Sequence, residues 1–98
     1  EQMQLTFKCS GLKKPSGDFD PMIVIFRCKD KKFKEVHQKE EFKTEAVLDD
    51  TDPKFVTKYT FDFKFEEMVY FQARIYNERA RNEAINQQKY YGQVNFVL

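Results

Sequence analysis

Apolar and polar residues alternate with a period of two in one stretch after another. The stretches are short and closely spaced, and the breaks between them carry turn-forming residues. These observations predict an all-β domain of about seven strands, either a sandwich or a barrel.

The elements follow in chain order. Leu5, Phe7 and Cys9 alternate with Thr6 and Lys8, which makes a strand with one buried face. Residues 22–28 are more continuously apolar and suit a central strand. Lys29-Asp30-Lys31-Lys32 reads as a hairpin turn leading to strands at 33–36 and 42–48. Asp49-Asp50-Thr51-Asp52-Pro53 is a turn, because Asp caps local backbone and Pro fixes φ. Tyr59, Phe61, Phe63 and Phe65 mark the next strand, and Val69, Phe71, Ala73 and Ile75 the one after. Residues 78–88 lose the alternation. Ala80, Ala84 and Ile85 fit one weak helical face, and Arg79 and Glu83 stand four apart, so a short helix or a long loop is expected. Val94, Phe96 and Leu98 close the pattern as a last strand.

A chain of 98 residues makes one domain, residues 1–98, and its start at Glu1 rather than Met suggests an excerpt of a longer protein. Seventeen basic against sixteen acidic residues leave a charge of +1, which argues against a general nucleic-acid binder. The longest apolar run, residues 22–26, is far short of the roughly twenty residues of a membrane span. No secretory signal opens the chain. Cys9 and Cys28 make no disulfide framework, so reduced thiols in a cytoplasmic protein are expected.

Several motifs, taken in order, resemble those of a C2 domain. Gly11-Leu12 followed by Pro15-Ser16-Gly17-Asp18-Phe19-Asp20-Pro21 resembles the family's first loop, which ends in Asp-Pro before a strand. Asp52-Pro53-Lys54-Phe55 resembles its Asn-Pro-any-Trp turn, and Phe61-Asp62-Phe63 its Phe-any-Phe strand. Ile75-Tyr76-Asn77 and Tyr90-Tyr91-Gly92 resemble the flanks of its third loop. Phe65-Glu66-Glu67 and the long third loop are most similar to the first C2 domain of copines. The resemblance implies an antiparallel Greek-key β-sandwich of seven to eight strands, an eighth strand lying outside the seven read here. It also implies three loops at one end that hold calcium through aspartates and dock on anionic lipid.

The residues at the matching positions depart from that pattern. The first loop offers Lys14 and Asp20, and the third offers Asn77, Arg79 and Lys89, a set with a charge of +2. Ca²⁺ needs six to eight oxygens, several of them carboxylate, so a standard site is not expected. A shifted, low-affinity calcium site on Asp18, Asp20, Asn77 and Glu78 is the alternative; otherwise Asp18 and Asp20 cap the turn into the second strand. Basic residues in those places would contact lipid phosphate directly. Lys13, Lys14, Arg79, Arg81 and Lys89 form the expected cationic crown, each worth roughly 1 kcal/mol at an anionic leaflet. Tyr90 and Tyr91 would sit at headgroup level, unless they pack at a strand start. A phosphoinositide patch on residues 29–34 is weaker, because Glu35, Glu40, Glu41 and Glu45 offset the neighbouring lysines.

Catalysis is not expected. His37 is the only histidine and lies in a Lys/Glu-rich stretch, the cysteines fall on strands, and the three glycines are scattered. The sequence therefore points to a cytoplasmic module that associates reversibly with anionic phospholipid membranes, with little calcium dependence and no cofactor. Calcium-dependent lipid binding and a protein-interaction module without lipid binding are the alternatives. A protein partner fits the near-zero net charge and the mixed Lys/Glu hairpin, and no nucleic-acid partner is expected.

Overall fold

The continuous apolar run in the second predicted strand is explained by its place in the molecule. In this computed structural model, which describes residues 1–64, 67–79 and 83–98, that run is β2, Pro21–Arg27, and residues 21–26 are all buried. Ile23 and Ile25 point to one side, among Phe55, Tyr59, Phe61 and Phe71. Met22, Val24 and Phe26 point to the other, where Tyr76, Val36, Ala46 and Ile85 cover them. Both faces of the strand are lined, so its side chains have no reason to alternate.

The remaining strands are β1 (Gln2–Leu5), β3 (Phe42–Lys43), β4 (Tyr59–Asp62), β5 (Tyr70–Asn77) and β6 (Lys89–Val97). They form two antiparallel sheets, β1-β4 and β3-β2-β5-β6. β2 and β5 pair from Pro21↔Asn77 to Arg27↔Phe71, although residues 28–69 separate them in sequence. β1 and β4 likewise pair across a long interval, from Gln2↔Asp62 to Leu5↔Tyr59. Such pairing of strands distant in sequence gives the crossing connections of a Greek-key sandwich.

The gap between the sheets is filled by aromatic rings, which accounts for eleven Phe and five Tyr in the chain. Phe42 stacks on Tyr59 at 5.0 Å, Tyr59 on Phe61 at 5.4 Å, and Phe71 on Phe96 at 5.1 Å; Phe61 meets Phe71 edge-on at 5.7 Å. Offset and edge-on contacts of this kind add to the burial of large rings. The sheets differ in width, two strands against four. Val94 pairs with Ala73 and faces inward, yet it is 62% exposed. It borders an apolar cleft of about 370 Å³ between β1 and β6.

Six strands stand among the described residues where the alternation predicts seven. Residues 33–36 contribute a single bridge, Cys28↔Val36. The carboxylate of Asp30 accepts the N–H groups of Lys34 and Glu35, and Phe33 takes φ 59°, so the segment stays a turn. The predicted strand at 42–48 pairs only at Phe42–Lys43. Beyond it Thr44 N–H still donates to Ile23 O and Val47 N–H to Pro21 O, but Ile23 N–H donates to Thr44 Oγ1, so a side chain takes the place of one ladder bond. The first strand begins earlier, at Gln2, and continues loosely through residues 7–9, where Cys9 N–H donates to Pro53 O and Phe55 N–H to Phe7 O. The last strand begins at Lys89 rather than Val94. In the third loop the described residues hold one 3₁₀ turn, Ile85–Gln87, and no α-helix. Among the described residues no helix is long and apolar enough to cross a membrane.

Candidate functional site

β2 begins, β5 ends and β6 begins at the same end of the sandwich, because Pro21 pairs with Asn77 and Asn77 with Lys89. The loops entering and leaving those strands must therefore meet there. The first loop joins β1 to β2, the second joins β3 to β4, and the third joins β5 to β6.

Asn77 ties the first loop to β5. Its side chain is 2% exposed; Oδ1 accepts the N–H of Asp20 at 2.9 Å and Nδ2 donates to the carbonyl of Asp18 at 2.8 Å. Glu78 N–H donates to the carbonyl of Asp20 at 3.0 Å. The second loop joins the same point. Asp20 Oδ1 accepts the N–H of Asp49 at 2.9 Å, Asp52 Oδ1 that of Gly11 at 2.7 Å, and the Thr51 carbonyl that of Leu12 at 3.0 Å.

A bulge supplies another fastening. Ile75 pairs with Gly92 and Tyr76 with Tyr90, leaving Tyr91 as an extra residue in β6. Bulges re-aim side chains, and here the Tyr91 ring packs on the fully buried Phe19 with centroids 5.2 Å apart. Its hydroxyl accepts the N–H of Lys13 at 2.8 Å and donates to the carbonyl of Lys13 at 3.0 Å. Tyr91 thus clasps the first loop. Tyr90 is 52% exposed, its ring edge against Tyr76 and its hydroxyl bonded to Gln93 Oε1 at 3.0 Å.

The predicted crown comes together in part. The Lys13 side chain is exposed, while its backbone is held by Tyr91. Lys14 lies 2.8 Å from Asp49 Oδ1. The hydrogen bond and charge of Asp49 raise the pKa of this lysine, and its charge is locally balanced. Arg79 and Lys89 are exposed and make no ion pair among the described residues; Arg79 N–H donates to Gln88 Oε1. Arg81 lies outside the described residues.

The four predicted calcium donors meet, but as a hydrogen-bonded joint and not as an oxygen cage. The Asn77 side-chain oxygen faces a backbone N–H and its nitrogen faces the Asp18 carbonyl. Asp20 already accepts from Asp49 N–H. No three His, Cys, Asp or Glu side chains converge on one point among the described residues. This donor set, with Asp18 and Glu78 beside it, does not fit the coordination Ca²⁺ demands.

Sequence spacing missed Asp49 and Phe19. The Asp49-Asp50 pair arrives on the second loop, 29 positions from Asp20, and reads by itself as turn chemistry. Phe19 was visible as an apolar residue inside a polar loop, the signal of a side chain that plugs the end of a core.

No family model matches the chain. A curated protein, Protein BONZAI 1 of Arabidopsis thaliana, is 26% identical over 106 aligned positions covering 99% of this chain. The chain spans about a fifth of that relative's length, 18%. BONZAI 1 is of the copine family, with C2 domains, and the similarity supports a C2-like domain.

Proposed function

We propose that this domain is a non-catalytic docking module whose three-loop end meets anionic phospholipid without calcium. One observation carries the reading: the exposed Lys13, Arg79 and Lys89 surround one fastened joint, unpaired among the described residues. Tyr91 brings the Lys13 backbone against β6, Lys89 opens that strand opposite Asn77, and Arg79 follows two residues later. The half-exposed Tyr90 ring stands beside Lys89, where an amphipathic ring suits the headgroup layer. Lys14 contributes less than its position promised, because Asp49 balances it. The C2-like similarity is consistent with a membrane or protein-interaction module.

A non-catalytic role agrees with the state of the nucleophiles. Burial raises the thiol pKa of Cys28 and of Cys9, which keeps both protonated and unreactive at neutral pH. His37 is exposed.

The test is co-sedimentation with phosphatidylserine vesicles in chelator, at low and physiological salt, using the wild type and a Lys13→Glu, Lys89→Glu variant. At roughly 1 kcal/mol per cation, loss of two should weaken binding about thirtyfold, and reversal further. Pelleting in chelator that fades with salt and disappears in the folded variant is the expected result. Unchanged pelleting of the variant, pelleting only with calcium, or none at all would each overturn the proposal.

A further inference from the structure

The outer face of the four-stranded sheet carries a groove of about 450 Å³. Phe26 of β2 and Arg74 and Tyr76 of β5 line it, together with Val36 and Glu40 on the segment after the 29–35 turn and Ile85 of the third loop. This face is turned away from the β1-β4 sheet.

Arg74 is held in a defined pose. Its guanidinium lies 4.6 Å from the centroid of the Phe26 ring, and Nε donates to Gln72 Oε1 at 2.7 Å. Gln72, 3% exposed, donates in turn through Nε2 to Asn95 Oδ1 at 3.2 Å, which aims its amide oxygen at the arginine. The chain Asn95, Gln72, Arg74 engages one of the five donors of the guanidinium. Among the described residues the terminal nitrogens have no hydrogen-bond partner and the half-buried side chain makes no ion pair. A planar guanidinium stacked on a ring and steadied at Nε presents its two terminal nitrogens to a carboxylate as a fork.

We propose that this groove is a peptide-docking site, in which Arg74 receives the carboxylate of an acidic side chain flanked by apolar residues. Phe26 and Tyr76 form the buried floor of the groove, and the half-buried Val36 and Ile85 at its sides supply the apolar contacts. The shape favours a peptide over a membrane, since a flat headgroup layer does not reach a guanidinium lying between two covering segments. The charge favours a single carboxylate over a dense polyanion, because Glu40 shares the groove without reaching ion-pair distance of Arg74. The groove borders the third loop at Ile85 but includes none of Lys13, Arg79 and Lys89, so its carboxylate preference is tested independently of lipid binding.

The probe is a fluorescein-labelled octapeptide alternating valine and threonine around one central glutamate, paired with its glutamine twin and read by anisotropy. The wild type should bind the glutamate peptide at least about tenfold more tightly, as expected for a charge-assisted bidentate contact. In Arg74→Gln that preference should vanish, and Arg74→Lys should restore only part of it. Titrating the wild type with the glutamate peptide should also shift the Arg74 Nε–H resonance, a readout independent of any variant's folding. Equal binding of the two peptides, binding of neither, or a preference that survives in folded Arg74→Gln would overturn the proposal. So would loss of vesicle pelleting in Arg74→Gln with no peptide bound, which would assign the groove to lipid.

Discussion

Replacing Asn77 by alanine removes both hydrogen bonds that hold the first loop to β5. The partners left behind, Asp20 N–H and the Asp18 carbonyl, are backbone groups beside a residue only 2% exposed. Each such bond is worth about 1–1.5 kcal/mol net, so Asn77→Ala should cost about 2–3 kcal/mol. For a domain of this length that lowers Tm by about 10–20 °C. Asn77→Asp is the sharper variant. The carboxylate keeps the acceptor for Asp20 N–H but sets an oxygen against the Asp18 carbonyl, 2.8 Å from where the amide nitrogen donates. It also adds a negative charge next to Asp18 and Asp20. In chelator it should therefore be at least as destabilised as the alanine variant, although its shape is nearly conserved. Thermal unfolding followed by far-UV circular dichroism, or by tyrosine emission in a chain without Trp, measures both. An alanine variant within about 0.5 kcal/mol of wild type, or an aspartate variant as stable as wild type in chelator, would refute the joint described here.

Two further predictions concern stability. Burial raises the pKa of the Glu45 carboxylate, but the N–H groups of Val56 and Thr57, at 2.7 and 3.3 Å, outweigh it and leave the pKa below the usual value of 4.5. A carboxylate lowered on folding stabilises fully above its unfolded pKa, and the contribution is lost as pH falls through the folded value. The Tm gap between wild type and Glu45→Gln should thus shrink from neutral pH to about pH 3, and a gap independent of pH would contradict the assignment. Phe71 is fully buried, stacked on Phe96 and edge-on to Phe61 and Tyr59. Phe71→Ala should cost about 3–5 kcal/mol in urea unfolding, and a loss under about 1 kcal/mol would show that the core can close around the gap.

Period-two alternation located β4, β5 and β6 because each has one face on the aromatic core, and the unbroken run at β2 marked the strand lined on both; it set the first strand at residues 5–9, whereas β1 is Gln2–Leu5. The alternation failed at residues 33–36, where Asp30 holds the backbone of Lys34 and Glu35 in a turn that apolar spacing does not register. It failed again after Lys43, where the Thr44 hydroxyl replaces a ladder bond. Spacing placed Lys13, Lys89 and Asn77 at one end, since the flanking strands fix where the loops emerge. It could not show that Asp49 neutralises Lys14 or that the Asn77 amide faces backbone groups, because both partners come from other parts of the chain. Tyr91 depended on a bulge: the offset of one residue that turns it toward Phe19 leaves no mark in the sequence pattern.

The fastenings of the first loop have a consequence for the thermodynamics of docking. Residues 10–20 belong to no strand and no bridge, yet Gly11, Leu12, Lys13, Asp18 and Asp20 are each bonded through the backbone to another segment. Fixing backbone costs about 1–2 kcal/mol per residue in lost conformational entropy. For a segment of this length the loss is on the order of 10 kcal/mol, and it falls on folding, before any partner is met. Encounter with a surface then starts from a shaped face. What remains to be opposed is the immobilisation of a few lysine and arginine side chains and the rigid-body freedom of the module. The proposed docking would then lack the heat-capacity signature of coupled folding. Its strength would be set by charge and salt rather than by the ordering of chain.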